Sequence, residues 1–229
     1  MKQRVMKDLR GNRIATRGAA IGSVKDVYFD DEKLAVRYLV VDTGGWLTGR
    51  RVLLSPASLA APVGGVIPAR LTREQIEGAP GLEHDLPVSR LYEKAHAHHY
   101  RYPYYWGGPL LWGFAAAPLA LGMEDAESAA FERMAQQNEH NANESHLRSA
   151  SEIAGYRVQA RDGPMGKIDD FVIEDNDWSL KGMIVDTREW WPGGQVEVAA
   201  EVIDTIDWES REVRLSLTRE AIEGRWPAR

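Results

Sequence analysis

LTREQIEG at residues 71–78 returns as LTREAIEG at residues 217–224, identical at seven of eight positions. Upstream of that pair the match continues at a constant spacing of 144. Gly11-Asn12-Arg13 faces Gly155-Tyr156-Arg157, Arg17 faces Arg161, Gly22 faces Gly166, Asp26 faces Asp170, Val41-Asp42-Thr43 faces Val185-Asp186-Thr187, and Trp46 faces Trp190. Two similar units, residues 1–80 and 147–229, therefore flank a dissimilar segment, residues 81–146. Two copies are too few for a solenoid, so each is expected to close its own core.

The unit reads as β. Residues 21–29 (IGSVKDVYF), 34–41 (LAVRYLVV) and 52–54 (VLL) are rich in β-branched, aromatic and aliphatic residues and are bounded by Gly, Asp or Pro. Asp30-Asp31-Glu32-Lys33 reads as the hairpin loop between the first two strands, with Glu174-Asp175-Asn176-Asp177 in its place in the second unit. So few strands bury one face and lose their edges only if the sheet curls, which predicts a small closed or nearly closed antiparallel barrel. Thr72 and Gln75 form a capping-box pair that starts one short helix, stopped by Gly78 and Pro80. In the second unit Thr218 remains and Ala221 replaces the Gln, so half of the box is lost.

The G-x-I/V-x-D pattern (Gly22 to Asp26, Gly166 to Asp170) followed by the VVDT-type strand and the L-T-R-E-x-I-x-G close resembles the PRC-barrel family. That family takes its name from the cytoplasmic domain of the photosynthetic reaction-centre H subunit and includes the C-terminal domain of the ribosome maturation factor. The resemblance covers both units. With Pro87-Val88-Ser89-Arg90 and Tyr102 to Gly108 (YPYYWGG) between them, the chain looks like bacterial tandem PRC-barrel proteins. The resemblance implies an all-β fold. Its two small six-stranded antiparallel barrels each end in a short helix and are joined by an aromatic connector with one short helix. It implies an adaptor that binds protein partners, with no catalytic residues. One departure stands out: Leu53 in the first unit aligns with Glu197 in the second, which argues against one shared binding surface.

Composition narrows the function classes. There are no cysteines among 229 residues, which excludes disulfides, a thiolate nucleophile, Cys-ligated zinc and iron–sulfur clusters. The net charge of −6 is unevenly spread, at +5 over residues 1–80, −5 over 81–146 and −6 over 147–229. Arg50-Arg51 is the only basic doublet of the first segment, so a phosphate-tracking surface is not expected. The N-terminus lacks the apolar core of a secretory signal, and a cytoplasmic protein is expected.

No constellation of residues spells a known chemistry. All six histidines (His84, His96, His98, His99, His140, His146) lie in residues 81–146. His96 and His98 could share a strand face, and His96 and His99 a helix face, but a polar connector does not ordinarily converge three or four ligands, and no metal site is expected. Asp169-Asp170 and Glu174-Asp175-Asn176-Asp177 lack calcium-loop spacing and read as turn chemistry. Asp42 and Asp186, each at a strand end, read as turn-capping side chains. Nucleophile-elbow, phosphate-loop, dinucleotide and zinc-helix motifs are missing, so no catalytic residue and no cofactor is assigned.

Residues 102–123, YPYYWGGPLLWGFAAAPLALGM, carry no charge. They are long enough to span a bilayer but are interrupted by Pro103, Gly107, Gly108, Pro109, Gly113, Pro118 and Gly122, so contact with protein is favoured. Residues 124–137 read as the connector's short helix. The candidate partner-binding residues are Tyr102, Tyr104, Tyr105, Trp106, Leu110, Leu111, Trp112 and Phe114. The expected function is a non-enzymatic adaptor that binds protein partners and is able to form a homo-oligomer. The alternative is a membrane-surface organiser whose residues 102–123 insert at the lipid interface.

Overall fold

The computed structural model describes residues 2–16, 19–47, 49–82, 88–119, 146–188 and 194–225, apart from the Trp46 side chain. The first unit holds β1 (Gln3–Val5), β2 (Arg13–Thr16), β3 (Ala19–Asp30), β4 (Ala35–Asp42), β5 (Arg51–Leu54), β6 (Val66–Pro68) and α1 (Arg73–Glu77). Helix α2 (Arg90–Tyr100) follows in the connector. The second unit holds β7 (Leu147–Ser149), α3 (Ala150–Ile153), β8 (Arg157–Ala160), β9 (Gly163–Glu174), β10 (Leu180–Asp186), β11 (Gln195–Ala199), β12 (Ile203–Asp207), β13 (Glu212–Leu215) and α4 (Arg219–Arg225).

The chain is mostly strand, in two sheets. One runs β5-β4-β3-β2-β6, and β7 joins it at β3. The other runs β11-β10-β9-β8-β13-β12, and β1 joins it at β9. Three features refine the expected pair of closed or nearly closed, antiparallel, six-stranded barrels. Neither sheet closes among the described residues, because the two ends of each path do not pair with each other. In the first unit the chain leaves β5 through a 3₁₀ turn at Pro56–Ser58, and only the Leu59–Ala69 bridge joins the two sides there. That crossover also brings β6 back parallel to β2, as β13 lies parallel to β8 in the second unit. Finally, the sheets contain six and seven strands because each takes a short strand from the other half of the chain.

The repeated residues have repeated jobs. A Cβ on Gly22 would overlap the carbonyl of Asp42, and one on Gly166 that of Asp186, so the long hairpin closes only over glycine at both places. Asp42 accepts from Gly44 N at 2.8 Å and Asp186 from Arg188 N at 3.1 Å, the turn-capping role expected of them. Asp30 Oδ1 accepts from the amides of Glu32 and Lys33, which is turn chemistry in the acidic hairpin. The capping box of α1 is complete, and at α4 only the Thr218 half survives.

Leu39, Val41, Val52, Leu54, Ile67 and Ile76 are fully buried in the first unit, as are Met183, Val185, Val196, Val198 and Ile222 at matching places in the second. Each such burial stabilises by roughly 1.5–3 kcal/mol. Both sets belong to one continuous apolar core.

Candidate interaction surface

The connector begins by covering the first unit. Ser89 starts α2 by accepting from Tyr92 N at 3.1 Å, and the helix ends at Arg101 in the left-handed region, with φ of 56°. Its buried face carries Arg90, Glu93, His96, Ala97 and Tyr100, a stripe at helical spacing that is largely polar. His96 Nε2 donates to the Leu53 carbonyl at 2.9 Å, and burial, outweighing that bond, pushes its pKa down to about 4. Arg90 Nη1 donates to Glu93 Oε1 at 3.1 Å, and the Tyr105 hydroxyl donates to Glu93 Oε2. Burial raises the Tyr38 and Tyr105 phenols well above their ordinary value, so both stay protonated donors.

Residues 101–119 are held down by cations of the first unit and of α2. Arg37, fully buried, donates to Asp30 Oδ2 at 3.0 Å and to the Leu111 carbonyl at 2.8 Å. Its guanidinium lies 4.1 Å from the Tyr105 ring centroid and 4.7 Å from that of Trp112, a cation–π sandwich. Lys33 Nζ donates to the carbonyls of Gly108 and Leu110, each at 2.9 Å. Arg90 lies 4.2 Å from the Trp106 ring, which stacks on Tyr104 at 4.6 Å. Trp112 Nε1 reaches the Asp177 carbonyl of the second unit at 2.7 Å. Two of the glycines that interrupt the segment, Gly108 and Gly113, allow this folding. Gly113 has φ of 73°, and a Cβ there or on Gly108 would run into neighbouring backbone.

The eight candidate residues therefore separate into two groups. Tyr105 and Trp112 are buried inside the chain, and Tyr102, Tyr104, Trp106 and Leu111 are partly covered. Leu110 and Phe114 stay exposed at 46% and 37%, joined by Leu119 at 43%. A cavity of about 30 Å³ lies between Tyr38, His96, Tyr102, Tyr105, Trp106 and Trp112. That is space on the order of one or two water molecules. No group of three or more His, Asp or Glu side chains is arranged to hold a metal ion among the described residues. His99 bonds the Gln75 carbonyl, His98 is exposed, and His146 lies beside Asp31 and Glu32, so these histidines do not converge. His84, His140 and the helix expected at 124–137 lie outside the described residues. No helix among the described residues is long and apolar enough to cross a membrane.

Residues 4–69 match the family model of the PRC-barrel domain. These residues form a PRC-barrel domain. No curated protein matches the chain. The match ends before α1 and α2, so the helix and aromatic segment that cover the domain lie outside the matched residues. Sequence reading missed α2 as a structural cover, because its buried side chains are Arg, Glu and His and do not register as apolar periodicity. The signals present were Ser89 as an N-cap and Glu93 placed to pair with Arg90 one turn away.

Proposed function

We propose that the protein is a non-enzymatic adaptor that binds a protein partner through the exposed apolar row of its connector, Leu110, Phe114 and Leu119. The observation that carries this reading is their setting: large apolar side chains 37–46% exposed on a segment whose backbone carbonyls are clamped by Lys33 and Arg37. A pre-ordered apolar row loses little entropy on binding, which favours recognition. The second unit, by its repeated sequence and matching strand order, is read as a second PRC-type domain. The protein is placed in the cytoplasm, without a cofactor and without nucleic acid as partner.

The test compares the full chain with Leu110→Glu/Phe114→Glu in affinity capture from the cells that make the protein, after equal thermal melting shows both folded. A partner retained by the wild type and lost by the variant is expected. Identical captures with both would overturn the reading. Wild-type binding to vesicles of anionic phospholipid, lost in the variant, would also overturn it and favour the membrane-surface organiser.

A further inference from the structure

The contacts between the two units obey the same spacing as the sequence repeat. Strand β1 pairs with β9 through Gln3–Glu174, Arg4–Ile173 and Val5–Val172, while β7 pairs with β3 through Leu147–Asp30, Arg148–Phe29 and Ser149–Tyr28. Each pair in one set is the other shifted by 144 with the halves exchanged. The side chains follow suit. Arg4 pairs with Asp175, and Arg148 with Asp31 at 2.9 Å. Asp170 accepts from Lys7 N at 3.0 Å, and Asp26 from Ser151 N at 3.2 Å. Val36 N donates to the Trp178 carbonyl at 2.8 Å, and Leu180 N to the Leu34 carbonyl at 2.7 Å. Leu34 and Trp178 even share an uncommon backbone state, with φ of 48° and 59°. At the centre Ala35 bridges Ser179, its own counterpart in the repeat.

A residue facing its own equivalent, flanked by reciprocal contacts, is the signature of a two-fold, self-complementary interface. We propose that this face recognises a second unit of the same kind, so that the two halves of the chain form a fused dimer whose association does not depend on the covalent connector. Its determinants are the exchanged strands, the two reciprocal Arg–Asp pairs, and an apolar centre that includes Phe29 against Phe171 at 5.3 Å.

The experiment uses the full chain with a site-specific protease recognition sequence inserted between Asn141 and Ala142, cleaved after folding and purification. By size exclusion with light scattering at micromolar concentration and 0.15 M NaCl, the two fragments are expected to travel together at the mass of the intact 25.6 kDa chain. Separation into two species would overturn the proposal. In the cleaved protein Arg4→Glu is expected to raise the dissociation constant at least tenfold, and adding Asp175→Arg to recover most of the loss. Unchanged association of cleaved Arg4→Glu would show that the exchanged strands do not hold the halves, and would overturn the proposal as well.

Discussion

Leu53 and Glu197 occupy the same place in the two units, yet Leu53 is buried beneath α2 while Glu197 is partly exposed. Helix α2 accounts for the difference, since His96 reaches the Leu53 carbonyl and holds the helix over β5. Leu53→Glu is expected to destabilise the protein by more than about 3 kcal/mol, combining lost apolar burial with a buried unpaired charge. Glu197→Leu is expected to change stability by less than about 1 kcal/mol, as a surface substitution does. Urea unfolding of both variants measures the contrast, and equal costs would mean that α2 does not cover β5 in solution.

The Arg90–Glu93 pair is buried at both ends, and the Tyr105 and Tyr38 hydroxyls complete the Glu93 carboxylate. Removing one member of such a pair typically costs about 3–5 kcal/mol, because the other charge is left without compensation. Glu93→Ala is expected to fall in that range. Tyr105→Phe, losing the hydrogen bond to Glu93 and the longer one accepted from Arg90 at 3.4 Å, should cost at least about 1.5–3 kcal/mol. Thermal and chemical unfolding check both, and a silent Glu93→Ala would remove the network as the anchor of the connector.

His96 makes stability depend on pH. Its folded pKa of about 4 lies below the unfolded value of about 6.5. The unfolded chain therefore takes up a proton that the folded chain refuses as pH falls through this window. The contribution of His96 is fully present above about pH 6.5 and shrinks as the pH drops, levelling off near pH 4. By pH 5 it should amount to about 2 kcal/mol of lost stability, from 1.36 kcal/mol per pH unit. The difference in unfolding free energy between wild type and His96→Gln, followed from pH 7 to pH 5, isolates it. A difference independent of pH would contradict a neutral, buried ring.

Gly22→Ala and Gly166→Ala are expected to be similarly damaging, each by about 1–3 kcal/mol or more, because each new methyl group meets a strand carbonyl that cannot move without breaking the hairpin. Gly45→Ala serves as the control, since nothing lies within 4 Å of a Cβ there. Parallel melting curves for the three variants provide the measurement.

Much of the fold was legible in the sequence because the residues concerned act locally. The strand pattern of residues 21–29, 34–41 and 52–54 reappears in β3, β4 and β5, and Thr72 with Gln75 marks the start of α1, since alternation and capping depend only on neighbours a few positions apart. The candidate site was legible only in outline. Residues 102–119 were marked by their aromatic content, but their division into buried anchors and exposed row depends on Lys33, Arg37 and Arg90, which lie far away in the chain or on a helix with a polar buried face.

The sequence alone showed the same residues recurring at a constant spacing of 144, because equal residues need no coordinates to be recognised. Only the tertiary structure decided what the repeated Asp26 and Asp170 are for: each caps the segment entering from the other half, a role set by non-local strand pairing that local patterns do not encode. It likewise decided that Arg37 would be buried rather than solvated. A guanidinium tolerates that position only where Asp30, the Leu111 carbonyl and two aromatic faces converge on it, and they converge only once the connector has folded back over the first unit.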